Sequence, residues 1–145
     1  MDARHEEFIH IIRLDPGEKI VASLLGYLEG RQAEIPSGFI SAIGAVLSCE
    51  IGWYSIPDDK YQTRIINENC EIIGIIGNFA WIDGKSVVHA HISLGKEDYS
   101  IVGGHLIEGT VSVTAEIYIH KAPIAVTRKQ SDRFKSLKLM DFNNP

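Results

Sequence analysis

Apolar and polar positions alternate along most of this chain between residues 39 and 121. Runs rich in valine, isoleucine and aromatic residues are typical of β-strands, and Gly, Pro, Asn and Asp clusters separate them. The runs predict strands over residues 39–56, 61–67, 70–82, 86–95 and 105–121, preceded by one over residues 6–14. Turn signals lie at Pro57-Asp58-Asp59, Asn67-Glu68-Asn69, Asp83-Gly84 and Gly103-Gly104. Because the connections are short, we expect an antiparallel sheet.

One segment has helical rather than strand periodicity. In DPGEKIVASLLGYLEG, Asp15 is a suitable N-cap and Pro16 suits the first helical position. Apolar residues at helical spacing form one stripe, Ile20, Leu24, Tyr27 and Leu28, and Gly30 can end the helix. One helix that covers one face of an antiparallel sheet gives an α+β fold.

Length and composition indicate a single globular domain. The 145 residues, 45% of them hydrophobic and 23% charged, suffice for one core, so we predict one domain over 1–145. Cys49 and Cys70 lie in apolar strand runs without metal-binding spacing, which predicts reduced, buried thiols. The acidic N-terminus does not resemble a signal peptide, and no apolar run is long enough to span a membrane. We therefore expect a cytoplasmic protein.

Three of the six histidines lie close together in the sequence and provide the candidate chemistry. His89 and His91 are two apart, so on a strand both side chains point to one face, opposite Ala90, Ile92 and Leu94. If the connection to the next strand is centred near Asp98, a hairpin places His105 opposite His91. Three imidazole ligands suit Zn²⁺ best, although another divalent transition metal ion is an alternative.

The strand that contains His105 has an ambiguous pattern. His105 alternates with Ile107, Val111, Val113 and Ile117, which indicate a buried face. Either a bulge at Gly103-Gly104 shifts the phase, or the histidine face is itself buried against another subunit. The exposed apolar stripe favours the second alternative.

The remaining candidates concern the surroundings of the histidines. Glu71, Glu108 and Glu116 are the acids considered as a general base, because open coordination at a zinc ion would permit catalysis only with such a group nearby. Asn78 is a candidate hydrogen-bond partner for a ligand histidine. No catalytic residue can be assigned from the sequence, and whether the protein is an enzyme stays open.

A series of short motifs extends over nearly the whole chain. It comprises Gly-Ala-Val at 44–46, Gly-Trp-Tyr at 52–54, Lys60-Tyr61, Glu71-Ile72, Gly77-Asn78, Asp83-Gly84, His89-x-His91, the segment GGHL at 103–106, Glu108-Gly109 and the segment TAE at 114–116. Together they closely resemble the plants-and-prokaryotes conserved (PPC, or DUF296) domain over about residues 6–122, leaving a tail over 123–145. The resemblance implies an α+β fold, a homotrimer, and a metal site formed by His89, His91 and His105.

Two further functions stay open beside metal binding. Plant members of the family carry AT-hooks, which suggests a DNA-associated regulatory protein, but this chain has no AT-hook and a net charge of −5. Its basic cluster, Arg128, Lys129, Arg133, Lys135 and Lys138, is interrupted by Asp132 and is more typical of a solvated tail. The other alternative is a scaffold that binds an anionic metabolite at the metal between subunits.

Overall fold

Over the residues that the structure describes, the fold is a single sheet of nine strands with one short helix. The structure is a computed structural model that describes residues 1–142. The strands are β1 (Asp2–His5), β2 (Ile9–Leu14), β3 (Ser37–Ser55), β4 (Lys60–Ile66), β5 (Cys70–Ile82), β6 (Lys85–Gly95), β7 (Ile101–Ala122), β8 (Thr127–Gln130) and β9 (Lys138–Asp141), and the helix is α1 (Ile20–Leu28). All six predicted strands are therefore present. The first of them is β2, which begins at Ile9 rather than at residue 6 and pairs with the additional strand β1.

Four long strands close into a ring. β3 pairs with both β5 and β7, and β6 pairs with both β5 and β7, all antiparallel. β1 and β2 extend the sheet beyond β7, and β4 extends it beyond β3. The predicted antiparallel sheet is confirmed, with one parallel pair added where β8 meets β5 at Trp81 and Thr127.

The interior of the ring and the apolar face of α1 form one core. Its largest fully buried side chains include Phe79, Ile12, Leu14, Leu24, Leu28, Ile40, Ile75, Ile92, Leu94 and Ile117. Both cysteines are free and buried, as predicted. Among residues 1–142, no helix is both long and apolar enough to cross a membrane.

The helix begins later than its sequence signals predict. Asp15 and Pro16 belong to a separate turn in which the Glu18 carboxylate accepts a hydrogen bond from the Asp15 backbone N–H. Residues 17–19 instead pair with β7, since Gly17 N–H donates to the Val111 carbonyl and Val111 N–H to the Glu18 carbonyl. α1 starts only at Ile20, and Gly30, with a φ of 72°, follows its end as predicted.

The Gly103-Gly104 pair is not a turn, which corrects the prediction from sequence. The chain turns at residues 96–100, where Tyr99 N–H donates to the Lys96 carbonyl, and β7 already begins at Ile101. A Cβ atom on Gly104 would lie 2.6 Å from the Gly52 carbonyl oxygen, and one on Gly103 would meet the Ile92 carbonyl oxygen. The two glycines therefore allow β3 and β6 to approach β7 closely.

A phase change along β7 resolves the ambiguous pattern around His105. Pairing with β3 is irregular at three places opposite residues 106–115, so the buried positions pass from Leu106 to Gly109, Val111, Ala115 and Ile117. His105 consequently faces outward although Val111 and Ile117 face the core. The expectation that these residues share one face with His105 is wrong, and the phase shift arises after His105, not at Gly103-Gly104.

Candidate metal centre

Two neighbouring strands bring the three histidines together. β6 and β7 form a hairpin whose register places His91 directly opposite His105, as the sequence predicted. His89 lies two residues from His91, so its side chain projects on the same outer face while Ala90, Ile92 and Leu94 fill the core. The alternation of β6 thus separates structural side chains from candidate ligands.

The three imidazole rings lie close to one another on the outer face of the sheet. Ring centroids are 5.3 Å apart for His89 and His91, 5.2 Å for His89 and His105, and 5.8 Å for His91 and His105. One ligand nitrogen from each ring lies within 4.8 Å of the other two. The arrangement matches the three-histidine donor set of zinc sites in its residue types and proximity.

Burial lowers the pKa of two of these rings, His89 and His105, which favours the neutral form that binds a metal. Burial lowers the pKa of His105 to about 4, and the neighbouring His89 and His91 contribute to that shift. Burial also lowers the pKa of His89, helped by the positive charge of Arg128. Among residues 1–142, the buried Nδ1 atom of His105 has no hydrogen-bond partner. A buried polar nitrogen without a partner is costly, and coordination to a cation would satisfy it.

An aromatic ring stacks on the imidazole of His105. Tyr61 on β4 stacks on the imidazole with ring centroids 4.6 Å apart, and Tyr54 on β3 packs edge-on against Tyr61. The stack restricts rotation of the His105 ring. These two tyrosines are packing residues beside the centre, whereas Trp53 on the opposite face of β3 is largely exposed.

Arg128 is a residue of the site that sequence reasoning missed. It was grouped with a solvated basic tail, yet its side chain is only 9% exposed and its guanidinium donates to Asn78 Oδ1 at 2.6 Å. Asn78 on β5 lies directly opposite His89, so this bond places the arginine at the centre. Within residues 1–142 the Asn78 side chain bonds to the arginine and forms no hydrogen bond with a ligand histidine, which corrects the prediction from sequence. Nothing in the local sequence TRKQ distinguishes Arg128 from its exposed neighbours.

The C-terminal segment is fixed in place by contacts with the β3–β4 turn. The Asp59 carboxylate accepts hydrogen bonds from the Lys135 backbone N–H at 2.9 Å and from the Tyr54 hydroxyl. Phe134 packs edge-on against Tyr54, with ring centroids 6.0 Å apart. This part of the tail thus packs beside the centre, which its composition did not indicate.

The three acids considered as a general base lie elsewhere. The Glu108 carboxylate accepts hydrogen bonds from Val21 N–H at 2.8 Å and Ala22 N–H at 3.1 Å, so it caps the start of α1. Glu71 lies at the end of β5 opposite Gly95, and Glu116 lies opposite Arg13 of β2. None of the three is brought to the histidines, and no catalytic residue is assigned.

The fold and the site define a single-domain β-rich protein with a three-histidine candidate metal centre. A family model described as the Plants and Prokaryotes Conserved (PCC) domain matches residues 1–123, and the chain belongs to that family. This confirms the resemblance found in the sequence. A comparison with curated proteins gives no significant match.

Solved structures share the fold over almost the whole chain. A metal-containing protein from Archaeoglobus fulgidus is 31% identical, with a TM-score of 0.79 over 94% of this chain and 97% of that one. A plant- and prokaryote-conserved protein from Pyrococcus horikoshii is 26% identical, with a TM-score of 0.81 over 97% and 93%. A candidate DNA-binding protein from Bacteroides thetaiotaomicron has a TM-score of 0.91 over 99% and 98%, and its 22% identity supports the fold alone.

Proposed function

We propose that this protein binds a divalent transition metal ion, zinc in the first instance, through His89, His91 and His105. The observation that carries the proposal is the convergence of three imidazoles from two paired strands, with ligand nitrogens within 4.8 Å of one another. Imidazole nitrogen is a preferred ligand of zinc and its neighbours in the first transition series. The metal-containing relative from Archaeoglobus fulgidus supports the same conclusion.

Three protein ligands leave one coordination position for solvent or a small ligand. A zinc ion held in this way can lower the pKa of a bound water or polarise a bound oxygen atom. The contribution of this chain is to hold three rings in fixed orientations, through the β6–β7 register and the stack of Tyr61 on His105. Glu71, Glu108 and Glu116 are placed elsewhere, so a carboxylate general base is not part of the proposal.

The metal proposal is tested by elemental analysis of protein purified without a histidine tag. We expect about one ion per chain in the wild type and near zero in His89→Ala, because loss of one of three ligands leaves too few nitrogens to hold the ion. His120→Ala is a matched control, since His120 is exposed on β7 outside the triad. Substoichiometric metal that His89→Ala does not change would overturn the proposal.

The assembly that we propose is a homotrimer, supported by an apolar outer surface. This apolar outer face consists of large side chains that are 56–67% exposed in the single chain: Ile43, Leu47, Ile73, Ile76 and Val113. It borders the histidines, because Ile76 on β5 lies directly opposite His91. Exposed apolar surface of this kind is typical of a subunit interface.

Light scattering tests the assembly. The expected mass is three times the 16.1 kDa of one chain. Ile43→Asp should shift it towards the monomer, because a carboxylate would be buried without a partner in the interface. A monomeric wild type at micromolar concentration would contradict the trimer and leave the metal proposal intact.

A DNA-associated regulatory protein is the second candidate, favoured by the provisional DNA-binding assignment of the Bacteroides thetaiotaomicron neighbour. The charge distribution gives it little support, because Arg128 is buried and Lys129 pairs with Asp141. DNA binding that weakens steeply with salt would support it. Negligible affinity near physiological salt would remove it.

A cytoplasmic location is also part of the proposal. It is supported by Cys49 and Cys70, which are buried free thiols of the kind maintained in a reducing compartment. Fractionation of cells that express the untagged chain tests this location, and recovery outside the cytoplasmic fraction would contradict it.

A further inference from the structure

Arg128 places a buried positive charge beside a centre that would already hold a cation. Its side chain is 9% exposed, and its two bonded acceptors are neutral oxygens, Asn78 Oδ1 at 2.6 Å and the Lys138 carbonyl at 3.0 Å. Among residues 1–142 no carboxylate forms an ion pair with it. A buried charge without a counter-charge is strongly unfavourable in a folded protein, so this arrangement calls for an explanation.

Part of the guanidinium lacks a hydrogen-bond partner within residues 1–142. The Nε–H group of Arg128 is buried and has no hydrogen-bond partner within the described chain. The planar edge of a guanidinium matches the two oxygens of a carboxylate or phosphate group, and such charge-assisted bonds are stronger than neutral ones. An oxyanion would satisfy the hydrogen bond and the charge together.

A cavity lies beside Asn78, the hydrogen-bond partner of Arg128, and beside two of the histidines. This cavity of about 230 Å³ is lined by Phe39, Ile76, Gly77, Asn78, His89 and His91, and thus joins two candidate metal ligands to the partner of Arg128. Imidazole ligands carry no negative charge that could offset that of a divalent ion, and Arg128 adds another positive charge. Glu71, Glu108 and Glu116 lie elsewhere, and no carboxylate within residues 1–142 pairs with Arg128, which favours an anionic ligand as the counter-charge.

We propose that the centre binds a small oxyanion, of the carboxylate or phosphate type, that coordinates the metal with one oxygen and accepts a hydrogen bond from Arg128. This inference rests on the proposed metal function and names its ligand class. Under this proposal Arg128 determines the specificity for the anion. It lies in the C-terminal segment, on β8, beyond residue 123 where the family match ends.

The test is calorimetric titration of the full zinc-loaded protein with acetate and, separately, with inorganic phosphate, after excess metal is removed. We expect saturable binding of at least one of the two anions. The anion that binds more tightly shows whether the ligand is of the carboxylate or the phosphate type. Arg128→Gln should weaken that binding by about 10–100-fold, the value of a hydrogen bond to a charged group. The matched control is Arg133→Gln, which removes an exposed arginine of the same tail and should leave the affinity unchanged.

Metal content, measured on every sample first, separates the two proposals. A wild type that holds zinc but shows no saturable anion binding would overturn the oxyanion inference alone, as would an Arg128→Gln variant with unchanged affinity. A wild type without metal would overturn both. If Arg128→Gln does not fold, Arg128→Lys replaces it, because lysine keeps the charge and lacks the Nε–H edge. The expected result for Arg128→Lys is full metal content with anion affinity lowered by about 10-fold.

Discussion

Two clusters of potential metal ligands in this protein have equally close ligand atoms, but they differ in whether those atoms already have hydrogen-bond partners. His89, His91 and His105 form the first, and His5, His10 and Glu34 form the second, each with ligand atoms within 4.8 Å of one another. In the first cluster the Nδ1 of His105 is buried with no partner among residues 1–142. In the second, His10 Nδ1 and the Tyr27 hydroxyl are 2.9 Å apart, and the Glu34 carboxylate accepts a hydrogen bond from Arg31 at 2.9 Å.

The comparison teaches that proximity alone does not define a metal site. In the second cluster the rings of His5 and His10 stack at 5.4 Å, and the acid and the buried imidazole have partners within the fold. Its groups stabilise the junction of β2, α1 and the following turn. In the first cluster the rings are held in position by the strands and by Tyr61, while at least one nitrogen stays available. A ring nitrogen without a hydrogen-bond partner, more than the close spacing of the rings, distinguishes a candidate metal ligand from a structural histidine.

The largest expected difference is in metal affinity. His105→Phe keeps an aromatic ring against Tyr61 but removes a ligand, and should weaken zinc binding by at least about 100-fold, because an essential coordination bond is lost. His5→Ala, in the second cluster, should leave affinity and stoichiometry unchanged. Competition with a chromophoric chelator measures both variants. An equal loss of zinc affinity in His105→Phe and His5→Ala would contradict the distinction between the two clusters.

A smaller effect is expected on stability from the second cluster. Tyr27→Phe removes the hydroxyl that bonds to His10, which is 1% exposed, and should lower the free energy of unfolding by about 1–3 kcal/mol because a buried polar nitrogen loses its partner. Zinc affinity should not change. Tyr99→Phe is the control, since Tyr99 is 94% exposed. Urea denaturation measures the difference, and a neutral Tyr27→Phe would show that the bond is not structural.

The smallest effect concerns pH. Burial lowers the pKa of His10 from 6.5, so the folded state disfavours its protonation. Its contribution to stability is therefore complete above about pH 6.5 and is lost as the pH falls towards the folded-state pKa, by at most ~1.4 kcal/mol per pH unit. Metal-free protein should unfold more easily at pH 5.5 than at pH 7.5, and His10→Gln should show a shallower dependence. Identical slopes in chemical denaturation would contradict this role.

The sequence predicted the parts of the site that depend on local periodicity. Alternation along β6 separated His89 and His91 from the core residues, and a turn near Asp98 was enough to place His91 opposite His105. Both follow from the two-residue repeat of a strand and from the register that a hairpin turn imposes. Metal binding itself stays a prediction.

Prediction from the sequence failed where contacts between residues far apart in the chain determine the structure. The phase change in β7 arises from irregular pairing with β3, more than fifty residues earlier in the chain, and has no local marker. Asp15 and Pro16 have helix-start chemistry, yet pairing of residues 17–19 with β7 takes precedence. Arg128 became part of the site because the tail docks against Asp59 and Asn78, contacts that no pattern within the tail encodes.

The position of β8 has a practical consequence for anyone who shortens this protein for expression. Trimming the chain at residue 123, the end of the family match, would keep all three histidines and remove Arg128, so the Asn78 amide would lose its guanidinium donor. Under the two proposals above, we expect such a fragment to keep its metal and to lose affinity for the anion.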